Sequence, residues 1–70
     1  MKTKYDEALQ YYKRSLKIQE EILGFDHPIV TNNLNDIGQV LSKKRKWEEA
    51  MVYYKRGLRI NESVFGSEHP

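Results

Sequence analysis

The chain repeats itself after 42 residues. Residues 4–28 lie over residues 46–70 without a gap, and 13 of the 25 aligned positions are identical: 4, 7, 8, 11, 12, 13, 14, 16, 18, 20, 24, 27 and 28, each against the residue 42 further on. A fixed period of this size marks stacked helical units, because one unit cannot bury its apolar face alone and needs its neighbours to do so. Arrays of that kind present surfaces for binding, so an interaction module is the first expectation and catalysis a distant one.

The apolar pattern is helical throughout. Tyr5, Ala8, Leu9, Tyr12, Leu16 and Leu23 form one stripe, and Tyr11, Ile18 and Ile22 form a second beside it. The arrangement returns at Trp47, Ala50, Met51, Tyr54, Leu58 and Phe65, flanked by Tyr53, Ile60 and Val64. Between them Val30, Leu34, Ile37 and Leu41 follow i, i+4, i+7, i+11 spacing, which is one narrow stripe on an otherwise polar helix. The pattern predicts helices over 5–23, 28–44 and 47–65, and no strand pattern competes.

Punctuation agrees with three helices. Gly24 and Gly66 follow the last apolar residues of their helices, where a left-handed residue closes the final turn at little steric cost. The sequence Asp26-His27-Pro28, repeated as Glu68-His69-Pro70, suits a helix start, with Asp26 or His27 as the cap and Asp26 the better acceptor. Gly38 and Gly57 fall in helix interiors, where each costs about 1 kcal/mol against alanine. Close approach of neighbouring helices is the expected compensation, with Ala8, Ala50 and Ser15 as further small residues.

Seventy residues allow one small domain, and a core of this size removes only about 60 % of the unfolded surface from water. The chain has no cysteine, so neither a disulfide nor a thiolate metal site can staple it. No apolar run approaches the roughly 20 residues that span a bilayer, and the first residues hold no signal-peptide core, which makes the cytoplasm the default compartment. A net charge of +2 names no partner. The basic cluster Lys43-Lys44-Arg45-Lys46 fits a nuclear-import or nucleic-acid patch in principle, and a solvated turn between helices is the preferred reading.

Taken together, Leu34-x2-Ile37-Gly38-x2-Leu41 followed by Ala50-x3-Tyr54 resembles the tetratricopeptide repeat, with Gly38 and Ala50 at that family's separation. The 42-residue period and the Leu23-Gly24-Phe25-Asp26-His27-Pro28 punctuation are similar to the longer-repeat variety of kinesin light chains. The resemblance implies an all-α, antiparallel α-α solenoid fragment, a single unit over 1–70 in which 4–28 is the second helix of one repeat and 28–66 a full helix pair. Two positions depart from the pattern: Leu41 stands where an aromatic is usual, and Arg45 where glycine makes the turn. Residues 42–49 are mostly good helix formers, so fusion of the second and third helices, with exchange between two chains, is a further expectation.

Function follows from the same resemblance. In that family the first helix of each pair lines a groove that holds peptides through polar side chains, which singles out Asn32, Asn35, Asp36, Gln39 and Lys43 as peptide-binding residues. The residues give independent support, since asparagine is a poor helix former and Asn32, Asn33 and Asn35 crowd one helix. Amides both donate to and accept from a peptide backbone. Plain solvated helix residues are the competing reading. Asp36 would repel a terminal carboxylate, so a neutral or mildly basic peptide is the better match.

The remaining candidates carry little chemistry. His27 and His69 have no second histidine or cysteine near them in sequence, so each reads as a loop histidine bonded to backbone. Glu20-Glu21 and Glu48-Glu49 are adjacent on helices, where neighbours diverge by about 100°, so both pairs read as solvated charge. Tyr5, Tyr11, Tyr12, Trp47, Tyr53 and Tyr54 hold repeat-equivalent stripe positions and are expected in the core before any base-stacking surface. The reading is therefore a protein-binding scaffold with no catalytic residues, no cofactor or metal, and neither nucleic acid nor membrane as a partner. Self-association of the fragment is the alternative, and RNA binding through Lys43 to Lys46 a third.

Overall fold

A computed structural model describes residues 3–65. Three helices follow in order, α1 Lys4–Leu23, α2 Val30–Lys43 and α3 Trp47–Phe65. The expectations for Gly66 and for residues 68–70 lie outside the described residues. The first helix starts on a capping box that the sequence reading passed over: Thr3 Oγ1 accepts from the Asp6 amide at 3.1 Å, and an Asp6 carboxylate oxygen accepts from the Thr3 amide at 3.2 Å. It ends at Gly24, whose φ of 103° is positive but whose ψ of 159° is not that of the left-handed residue expected there.

The second helix starts at Val30 and not at Pro28. Residues 27–32 form a tight turn first, with amides of Val30, Thr31 and Asn32 donating to carbonyls three residues back. Asp26 does not cap it; His27 Nδ1 accepts from the Ile29 amide at 3.1 Å, and the Thr31 hydroxyl donates to the Pro28 carbonyl at 2.7 Å. Proline at 28 has no amide to give, and the amides of residues 30–32 are met by the carbonyls of residues 27–29.

Between α2 and α3 the chain turns sharply. The amide of Lys46 donates to the Leu41 carbonyl and that of Arg45 to the Ser42 carbonyl, both at 2.9 Å, and Arg45 takes φ of 63°. This is the Schellman closure normally built on glycine. The two helices are thus separate, despite the helix-forming residues that link them.

The middle helix is the hub. α2 packs antiparallel against α1 on one side and α3 on the other, while the α1 and α3 backbones do not meet. Val30, Leu34, Ile37 and Leu41 are all fully buried, as their spacing predicts, and Leu16, Ala50 and Ile60 complete the core. Burying each large apolar side chain is worth about 1.5–3 kcal/mol, so α2 supplies most of the stabilising surface.

The two homologous helices bury opposite flanks. On α1 the residue that reaches the core is Leu16, 7 % exposed, while its counterpart Leu58 on α3 is 57 % exposed. On α3 it is Ile60, 2 % exposed, while its counterpart Ile18 on α1 is 52 % exposed. Each helix carries two apolar faces and α2 lies against only one of them, a different one in each case. The expectation that the six stripe aromatics are core therefore holds for Tyr12, Tyr53 and Tyr54 and fails for Tyr5, Tyr11 and Trp47, which are exposed.

Candidate functional site

Successive residues of a helix are set about 100° apart, which brings Asn32, Asp36, Gln39 and Lys43 within a narrow arc, with Asn35 at its edge. That arc points away from the buried stripe of Val30, Leu34, Ile37 and Leu41. Asn32, Asn35, Gln39 and Lys43 are exposed and Asp36 is half-buried. None of the five makes a side-chain hydrogen bond or ion pair among the described residues. Asn35 borders α3, its side-chain oxygen standing 3.5 Å from where a β-carbon on Gly57 would be.

Two neighbours in sequence turn out to be structural. Asn33, next to the candidate residues, is buried and donates through Nδ2 to Gln19 Oε1 of α1 at 2.8 Å. It accounts for one of the three crowded asparagines by packing. Lys44, next to Lys43, pairs with the Asp6 carboxylate at the start of α1. That bond and those from the Thr3 amide and hydroxyl lower the Asp6 pKa from 3.8 to about 2. Part of the basic cluster thus pins α2 to α1, while Lys43, Arg45 and Lys46 remain exposed.

Another pairing was not legible as chemistry. Glu20, read from sequence as solvated, is held by Arg56 of α3. The same guanidinium donates to the Phe25 carbonyl at 3.0 Å and lies 3.7 Å above the centre of the Phe25 ring, so one side chain ties α3 to α1 and to the loop after it. Its Nε is buried without a hydrogen-bond partner among the described residues. The repeat held a clue, since Arg14 and Arg56 are identical counterparts, as are Glu20 and Glu62.

Depressions in the surface occur away from the polar arc. One of about 320 Å³ is lined by Arg45, Lys46, Trp47, Glu48 and Glu49 at the second turn, and one of about 330 Å³ by Tyr11, Arg14, Ser15 and Ile18 on α1. The polar arc itself is a face on one helix. Among the described residues, no three His, Cys, Asp or Glu side chains come together as metal ligands, and no helix is long and apolar enough to cross a membrane.

No curated protein and no solved structure gives a match to the chain. The sequence model of the tetratricopeptide repeat family matches residues 2–63, nearly the full length. This chain belongs to the tetratricopeptide repeat family.

Proposed function

We propose that the chain is a protein-protein interaction scaffold that presents the polar arc of α2 to an extended peptide segment of a partner. The supporting observation is that Asn32, Asn35, Asp36, Gln39 and Lys43 share one side of the helix and spend no side-chain bond on the fold. Three of the five are amides, which match both donors and acceptors of a peptide main chain. Asp36 at the centre disfavours a terminal carboxylate and favours a neutral or mildly basic segment. Repeats of this family are generally non-catalytic scaffolds, and a cysteine-free core suits the cytoplasm.

Selection of unstructured 12-residue peptides on the whole chain tests the reading. Enriched peptides are expected to lose at least tenfold in affinity in Asn32→Ala and Gln39→Ala, and to bind Glu21→Ala as they bind the wild type. Peptides indifferent to all three substitutions would remove the arc from the binding surface. A second reading, self-association, is favoured by the apolar residues that α3 leaves open: Trp47, Met51 and Leu58. Sedimentation of the wild type and Leu58→Asp over a range of concentrations decides it, since a dimer through α3 would be lost in the variant.

A further inference from the structure

Arg45 closes the turn between α2 and α3 with a φ of 63°, in the left-handed region that a side chain resists and glycine tolerates. The residues around it favour a helix, Lys43, Lys44, Lys46, Glu48 and Glu49 all being good helix formers. The turn also leaves helix bonds unmade. Among the described residues the amides of Trp47, Glu48 and Glu49 meet no carbonyl, and the first amide of α3 to do so is that of Ala50, on Lys46 at 3.0 Å. Carrying the helix through residues 44–46 removes the positive φ and gives those three amides the carbonyls of Lys43, Lys44 and Arg45, four residues back.

What opposes opening is the packing of α3 on α2, and a second chain supplies the same packing. Gly38 lies against Tyr54 and Leu34 beside Gly57. Residue 46 is midway between 38 and 54, and the midpoint of 34 and 57 falls between residues 45 and 46. Two opened chains laid antiparallel about that point match α2 of each to α3 of the other in the register seen here. The same register brings Glu48 and Glu49 of one chain level with Lys43 of the other, charges of opposite sign. The first helix does not stand in the way, since its backbone meets α2 and not α3. The Glu20–Arg56 pair that ties α1 to α3 reforms across the two chains.

We propose that the turn at Arg45 is a hinge through which two copies of this chain exchange their third helices. In each chain α2 and α3 become one helix, and each α3 takes on the other copy the seat it has here on its own α2; short connections under strain favour such exchange. The α2–α3 interface is the same in both forms. Relief of the strained residue and three added helix bonds per chain therefore act against the freedom lost on pairing. Met51 and Leu58 stay outside the exchanged interface, which sets it apart from association through the open face of α3. The exchange does not depend on peptide binding by the polar arc.

A crosslink in this cysteine-free chain distinguishes the two forms. A β-carbon at residue 57 stands 3.9 Å from that of Leu34, a separation suited to a disulfide, so Leu34→Cys with Gly57→Cys bridges within a closed chain and between exchanged ones. The variant is refolded from urea in reductant at low and at high concentration, separated by size and then oxidised. Non-reducing electrophoresis is expected to show covalent dimers from the dimer fraction and internally bridged chains from the monomer. Sedimentation of proteins without the cysteines, refolded the same way, is expected to show a dimer fraction that falls several-fold in Arg45→Gly and is unchanged in Leu58→Asp. This second measurement decides the matter alone if loss of Leu34 prevents folding. A wild type that stays monomeric at every refolding concentration overturns the proposal. So does a dimer whose cysteines bridge within each chain, one as abundant in Arg45→Gly as in the wild type, or one lost in Leu58→Asp.

Discussion

The ring of Tyr54 lies against Gly38, so closely that a β-carbon on residue 38 would stand 2.7 Å from its Cε1 and 2.8 Å from its Cζ. A glycine that weakens α2 locally thus lets α3 approach it. Gly38→Ala is expected to lower stability by about 1 kcal/mol, an overpacking cost of about 1–3 kcal/mol exceeding a helix-propensity gain of about 1 kcal/mol. With Tyr54→Ala already present, the same change should raise stability by about that propensity gain. Urea unfolding of the four proteins in the cycle measures the coupling.

Gly57 answers in the other direction. A β-carbon there meets nothing nearer than 3.5 Å, so Gly57→Ala is expected to stabilise by about 0.5–1 kcal/mol through backbone entropy. A lower urea midpoint in this variant would mean that α3 and α2 lie closer than the structure places them.

Arg45 holds a left-handed conformation that costs a non-glycine residue about 1–3 kcal/mol. Glycine relieves that strain and gives back part of it by loosening the unfolded chain. Arg45→Gly is expected to raise stability by about 1 kcal/mol, read as a higher thermal midpoint. Arg45→Val, which resists positive φ, should lower it and favour fusion of α2 with α3, visible as a larger sedimenting species.

The Asp6–Lys44 pair makes stability depend on acid. The folded pKa of Asp6 lies at about 2, below its ordinary 3.8, so the contribution is present above the ordinary value and is lost as pH falls through the folded one. Urea midpoints measured from neutral pH downward should fall through that window. In Lys44→Ala the fall across it should shrink, since the lysine is the largest cause of the shift.

Arg56 joins two helices and a loop by an ion pair, a carbonyl bond and a ring contact. Arg56→Ala is expected to cost about 1–2 kcal/mol. Arg56→Lys should recover less than half, because an ammonium cannot bond two oxygens and stack on Phe25 together. Thermal denaturation compares the three.

Most of the secondary structure was legible in the residues: the i, i+4, i+7, i+11 spacing of Val30, Leu34, Ile37 and Leu41 placed the buried stripe of α2, and the repeat placed α1 and α3 as equivalents. The candidate residues themselves came from the family resemblance; helix phase adds only that Asn32, Asp36, Gln39 and Lys43 share one side of α2. Local pattern carries such information because a helix sets the direction of every side chain it contains.

What tertiary structure alone decided was which of two equally apolar faces each outer helix buries. Ile18 and Ile60 are the same residue at the same place in the repeat, yet one is in the core and the other in water. Their surroundings differ because α2 follows α1 and precedes α3. The roles of Asn33 and Glu20 were hidden likewise, as both depend on partners on another helix. A one-dimensional pattern records that a side chain prefers burial or a charge prefers a partner; where a shared neighbour lies is settled only when the helices pack.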